Sequence, residues 1–145
     1  MQRTTGSRVM VEEKEIARIG KGLMVLLGIK KGDSAEDADY MMNKIINLRI
    51  FPDEDDKMNL SLLDIAGEVL LVSQFTLYGD SRKGRRPGFS DAELPELALP
   101  LFAYSVRWLA QAGIKVATGE FGADMMVEID NDGPCTILLD SEKLF

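Results

Sequence analysis

"GEVLLVSQFTLYGD", residues Gly67–Asp80, changes character halfway along. Its first half, Val69-Leu70-Leu71-Val72, is the continuous apolar run expected of a strand buried on both faces. Its second half sets Ser73, Gln74 and Thr76 around Phe75, where Val or Leu would extend a buried strand at lower desolvation cost. A second apolar run, Leu23-Met24-Val25-Leu26-Leu27-Gly28-Ile29, is bounded by glycines. The two runs place a buried sheet at the centre of the fold. The polar exit at Ser73 needs a separate reason.

Outward from these runs, Arg8–Val11 and Lys14–Ile19 alternate apolar and polar residues and predict a hairpin around Glu12-Glu13. Ser34 is a candidate N-cap, with Glu36 and Asp37 in the first turn and Ala38, Met41, Met42, Ile45 and Leu48 at helical spacing. Pro52 predicts that this helix ends near Ile50. The acidic stretch "FPDEDDK", Phe51–Lys57, lacks the alternating ligands and glycine of a calcium loop and reads as a solvated turn, with no metal. Met58–Asp64 and Glu68–Phe75 read as a second hairpin around Ala66-Gly67.

Leu97, Leu101, Tyr104 and Trp108 share a helical face, with Phe102, Val106 and Leu109 beside them, and are expected in the core. Pro95 and Pro100 confine the start of that helix to the stretch between them or just after, and Gly113 is a candidate C-cap. Ile114–Ala117, Met125–Ile129 and Cys135–Asp140 read as three further strands. About seven strands and two main helices, with helices following runs of strands, make an α+β single domain spanning residues 1–145.

Composition narrows the chemistry. At 145 residues the chain holds one domain with a substantial core, and 46% hydrophobic with 28% charged residues is ordinary globular usage. No apolar run is long enough to span a bilayer, and the N-terminus lacks a signal-peptide core. The single cysteine, Cys135, forms no internal disulfide, which fits a reducing, cytoplasmic setting. The absence of histidine excludes Ser-His-Asp and Cys-His machinery and histidine-ligated metals. The net charge of −7 opposes polyanion binding, yet Arg82, Lys83, Arg85 and Arg86 lie within five residues. Outside that cluster 13 basic residues face 24 acidic ones, a balance of −11. The cluster is either a solvated loop or a phosphate contact.

Three stretches could carry function. Ser73-Gln74-Phe75-Thr76 is either a strand end whose hydroxyls cap nearby backbone or a set of amides facing a cleft, suited to a developing oxyanion. Asn131-Asp132-Gly133-Pro134 has the composition of a turn, and its Gly-Pro bond adopts cis at a cost of only about 0.5–1 kcal/mol. Thr118–Met125 carries two glycines around Phe121 that permit close backbone approach.

Taken together and in order, "ARIGKGLMVLLGI" (Ala17–Ile29), "SQFTLYGD" (Ser73–Asp80), "KGRRPGFS" (Lys83–Ser90) and "TGEFGADMMVEIDNDGPCT" (Thr118–Thr136) resemble the D-aminoacyl-tRNA deacylase family over nearly the whole chain. The resemblance implies a barrel-like pair of sheets in a homodimer with active sites at the subunit interface, and no cofactor. It implies hydrolysis of the ester joining a D-amino acid, or glycine, to the terminal adenosine of tRNA, helped by the ribose 2′-hydroxyl. Ser73, Gln74, Phe75 and Thr76 match the active-site motif, and Gly133 and Pro134 match a Gly-cis-Pro motif that reaches into the partner's pocket and excludes L-amino acids. Phe121, Gly122, Ala123 and Met125 fall in the substrate-binding stretch, and Arg3 matches the arginine supporting the Gly-Pro loop. Arg82, Lys83, Arg85 and Arg86 are then contacts to the phosphates of the acceptor stem.

The chain departs from the family at three points. Gln2-Arg3 follow Met1 directly, shortening the first strand; Cys135 stands where valine is usual and reads as a small buried hydrophobe; Pro100 predicts a helix that starts late. A competing reading is a non-catalytic protein of the same fold that binds tRNA 3′ ends. A cysteine hydrolase using Cys135 fails for want of a histidine to activate the thiol.

Overall fold

The computed structural model describes all 145 residues. In chain order the elements are β1 (Gln2–Val11), β2 (Lys14–Ile19), β3 (Gly22–Leu27), α1 (Ala35–Asn47), β4 (Phe51–Pro52), β5 (Met58–Leu60), β6 (Glu68–Ser73), α2 (Pro95–Gln111), β7 (Val116–Thr118) and β8 (Met126–Thr136), with a 3₁₀ turn over Phe75–Tyr78. The main sheet runs β2-β1-β3-β6-β7, and β8 adds to β1. Three of its strands, β3, β6 and β7, are mutually parallel, whereas β1 runs antiparallel to β2, β3 and β8. β1 pairs with β3 through Gln2–Thr4 and with β2 through Ser7–Val11, so the sheet curls towards a barrel. The α+β class with two helices holds, with eight strands where the sequence predicts about seven.

Both apolar runs bury both faces. Leu23, Val25, Leu27, Val69 and Leu71 face α1 and α2 in one cluster, while Met24, Leu70 and Val72 face the barrel interior with Val9 and Ile19. This double burial explains the first correction. β6 forms no hairpin with Met58–Asp64; it pairs in parallel with β3 from Gly22↔Glu68 to Leu27↔Ser73. A parallel strand covered on both sides demands an uninterrupted apolar sequence. Met58–Leu60 pairs instead with Phe51–Pro52, making a small hairpin whose acidic turn is organised by Asp53, which accepts from the Asp55 and Lys57 amides.

α1 begins at Ala35 after Ser34, whose N–H donates to Asp37 Oδ2 at 2.8 Å, and ends at Asn47, short of Ile50 because Phe51 joins the small hairpin. α2 does not start late: Pro95 opens it and Pro100 lies inside. Proline there removes one bond near the exposed first turns, where the loss is least. The expected stripe is also rotated. Ala98, Phe102, Ser105 and Leu109 are buried, Leu97 is exposed, and Leu101, Tyr104 and Trp108 are half-buried. The small Ala98 and Ser105 let the helix approach the sheet, while the Tyr104 hydroxyl donates sideways to Asp39 Oδ1 of α1 at 2.6 Å.

The last correction concerns β8. Met125–Ile129 and Cys135–Asp140 are not separate strands around a turn; one strand runs through Asn131-Asp132-Gly133-Pro134 and ends at Thr136. Register shifts opposite Gln2–Gly6 absorb the irregularity, and β1 pairs with β8 on either side of it, at Asn131 and at Thr136. β1 is paired from Gln2 onward, with β3 on one edge and β8 on the other.

Candidate active site

Ser73 closes β6 opposite Leu27, and the Gln74 N–H donates to the Leu27 carbonyl at 2.8 Å, extending the parallel pairing by one residue. The chain then leaves the sheet over Gly28. A side chain at Gly28 would stand 3.0 Å from the Tyr78 ring and 3.2 Å from the Gln74 carbonyl, so glycine lets the 3₁₀ turn settle there without displacing either. The first N–H groups of a helical turn lack an intrahelical acceptor. Those of Phe75 and Thr76 find none elsewhere in the chain either. The Gln74 side-chain amide donates to the Thr76 hydroxyl, fixing two polar side chains beside these amides. Phe75 and Thr76 are exposed, and Ser73 and Gln74 half-buried.

The second stretch arrives at the same rim. β7 runs parallel to β6 with Thr118 opposite Leu71, so the following loop passes the end of β6. A side chain at Gly119 would meet the Met125 sulfur at 2.5 Å and Val72 at 3.7 Å. Met125 packs with the barrel-interior cluster, whereas Phe121 turns the other way and lies against Phe102, ring centroids 5.8 Å apart. Gly122 takes a φ of +80°, and the Ala123 N–H donates to the Glu120 carbonyl at 3.1 Å, closing a tight turn. Ser73–Thr76 and the Phe121–Met125 loop therefore share one end of the barrel.

Gly133-Pro134 does not join them. Its peptide bond is cis, both residues are exposed, and Gly133 has a φ of +123°. Arg3, buried at 9% exposure, clamps the segment: Nε donates to the Asp132 carbonyl at 3.2 Å and pairs with Asp132 Oδ2 at 3.1 Å, while Nη1 donates to the Ile50 carbonyl at 2.7 Å. Arg3 lies opposite Leu23 at the start of β3, and Ser73 lies opposite Leu27 at its end. Four residues of strand put the two motifs about 13 Å apart along the sheet, besides the strands between them. Cys135, next in sequence, is buried in the helix-side core.

The basic cluster hangs from the 3₁₀ turn. Asp80 and Gly88 exchange two backbone bonds, 2.7 and 2.9 Å, closing a loop over residues 81–87. Arg82 folds back on Asp80 with Nε–Oδ1 and Nη2–Oδ2 both at 2.8 Å, and this guanidinium pushes the Asp80 carboxyl down to about 2. Lys83, Arg85 and Arg86 make no ion pair, so three cations of the cluster point free. Burial, with Asp33 nearby, pushes Tyr78 up to about 12, leaving its phenol neutral beside the site. Three contributors escape the sequence: Gly28, Asp80 and Phe89, whose ring meets Phe75 edge-on at 5.2 Å. Only the glycine after an apolar run offers a local signal.

A cavity of about 380 Å³ lies next door, between β3, α1, α2 and the tail after β8. It touches Leu77 and Tyr78 but none of the motif residues. No cluster of three His, Cys, Asp or Glu side chains converges anywhere in the chain, and no helix is long and apolar enough to cross a membrane.

Residues 1–140 match the family model described as D-Tyr-tRNA(Tyr) deacylase. The chain belongs to that family. D-aminoacyl-tRNA deacylases from Syntrophomonas wolfei and Clostridioides difficile are 69% and 61% identical, each aligned over 100% of this chain and 97% of its own length. A solved structure named c-Myc DNA Unwinding Element Binding Protein superposes with a TM-score of 0.88 at 40% identity, covering 94% of this chain and 93% of its own. A probable eukaryotic D-amino acid tRNA deacylase shares the fold, with a TM-score of 0.78 at 18% identity over 92% of each chain. Membership of this deacylase family makes the chain a carboxylic ester hydrolase and removes the non-catalytic binder as the better reading.

Proposed function

We propose that the chain hydrolyses the ester between a D-amino acid, or glycine mischarged on alanine tRNA, and the 3′-terminal adenosine. The attacking water adds to the ester carbonyl, and the oxyanion is received by the free amides of Phe75 and Thr76. Collapse expels the ribose oxygen, which takes a proton, and releases free amino acid and tRNA. The neighbouring ribose hydroxyl assists the water, a role left open by a chain without histidine. Gln74 and Thr76 orient the substrate, the Phe121–Met125 turn walls the pocket with backbone, and the cations of the basic loop contact acceptor-stem phosphates.

One observation carries the stereochemical part. Within one chain the exposed Gly133-Pro134 segment, on β8, lies level with the start of β3, whereas the Ser73–Thr76 amides lie at the far end of β3, on the other side of it. A homodimer that lays one protomer's Gly133-Pro134 against the other's amides resolves this separation, and main-chain atoms then reject an L side chain. Matched D- and L-aminoacyl-tRNA supplied to the purified protein test the reaction. Release of amino acid from the L-ester at the rate of the D-ester sinks it.

Subunit mixing tests the trans arrangement. Thr76→Pro removes one of the amides at a position whose helical φ proline accepts, and should lower kcat about 10²–10³-fold. Gly133→Ala strains a backbone held at φ +123° and should shrink the D-over-L ratio. Each variant alone is crippled. Their mixed dimers carry one site with both native parts, so about a quarter of parental selective activity should return after subunit exchange. No recovery despite proven exchange places both motifs' work in one chain.

A further inference from the structure

We propose that Phe75 and Phe89 form a stacking platform for an unpaired nucleobase of the RNA end that carries the ester, an inference resting on the tRNA reading above. The rings meet at 5.2 Å and 70°, and they are 56% and 37% exposed. Elsewhere the only exposed aromatic residue is the terminal Phe145. Burial in the core would stabilise both rings, and the fold of the single chain instead leaves them exposed at the rim. It also holds them firmly. A side chain at Gly79 would stand 3.2 Å from the Phe89 ring, and the paired Asp80–Gly88 bonds fix the chain on either side of the contact.

The surroundings select the ligand. An exposed aromatic ring face beside the unpaired Lys83, Arg85 and Arg86 matches a base attached to phosphate, the combination by which single strands are bound. Position narrows it further. The Phe75 ring belongs to the residue whose amide faces the reacting ester, so the stacked base lies in the single-stranded end rather than the paired stem.

Phe89 separates this role from catalysis. The probe is a four-nucleotide single-stranded RNA, with copies made abasic at each position in turn, and binding is followed by fluorescence anisotropy. Phe89→Leu keeps apolar volume without a π-face and should weaken the intact RNA about tenfold, with Phe89→Trp restoring it. The salt dependence should be unchanged, and for one abasic copy the parent and Phe89→Leu should bind alike. Light scattering and thermal melting check that Phe89→Leu keeps the parental oligomeric state and fold. Equal binding of the intact RNA by parent and Phe89→Leu overturns the platform. So does a loss that every abasic copy shows equally, or one traced to altered oligomeric state. Failure of the parent to hydrolyse D-aminoacyl-tRNA, with base-dependent binding intact, overturns the functional reading and leaves the platform standing.

Discussion

The parallel and antiparallel halves of the sheet are built to different rules. In β3 and β6 nearly every side chain is buried, on one face by the helices and on the other by the curled barrel. In β8 exposed and half-buried residues alternate, and only Cys135 is fully buried. The first half ends in a rim whose amides cannot shift without disturbing two layers of packing. The second carries an exposed segment held chiefly by one arginine. An oxyanion site gains from donors that need no reorganisation, whereas a segment that must reach another surface has to stand clear of its own core. In the proposed trans arrangement the two halves would supply rigidity and reach respectively.

Breaking the parallel half should have the largest effect. A Cβ on Gly22 would stand 1.9 Å from the Glu68 carbonyl oxygen and 2.7 Å from its nitrogen, both backbone atoms of the paired strand. Gly22→Ala should therefore abolish the native fold, and a cooperative native-like melt would show that β3 and β6 can separate. Arg3→Ala strikes the other half and should be milder. It strands the Ile50 carbonyl and frees Asp132, costing about 1–3 kcal/mol, and lowers the D-over-L ratio more than it lowers D-ester turnover. Selectivity preserved at parental level would detach Arg3 from the loop's work. Reversing Arg85 and Arg86 to Glu should leave melting unchanged and reduce the salt slope of tRNA binding by about 1.5; an unaltered slope makes the loop mere solvated surface. Smallest of all, Cys135→Ala should cost about 1 kcal/mol of packing and keep hydrolysis within a few-fold. A thousandfold loss in the folded variant would restore a thiol mechanism.

The two halves also differed in how far the sequence disclosed them. Uninterrupted apolar residues marked β3 and β6 as buried on both faces, but the short connection at Ala66-Gly67 favoured a hairpin over the parallel pairing. β8 was harder. Asn-Asp-Gly-Pro has turn chemistry locally, and what keeps it in a strand is Arg3, 129 residues away from Asp132. The proline inside α2 and its rotated face reflect tertiary fit: small Ala98 and Ser105 decide which side meets the sheet. The two motifs were legible through their family resemblance, and their separation within one chain was not, because it depends on strand register. Phe89 was invisible for the same reason, since its meeting with Phe75 follows from the closure of Asp80 on Gly88.

That closure gives the molecule an electrical polarity. Asp80 neutralises Arg82, and three unpaired cations remain on one short loop against an acidic body. A polyanion arriving at most of the surface is repelled, and one arriving at the loop is drawn in. On the proposed reading, encounter would be oriented before any contact forms, and the approaching strand delivered to the end of the barrel that carries the amides. Rising ionic strength should then slow capture far more than it speeds escape, so the salt sensitivity belongs to arrival rather than residence.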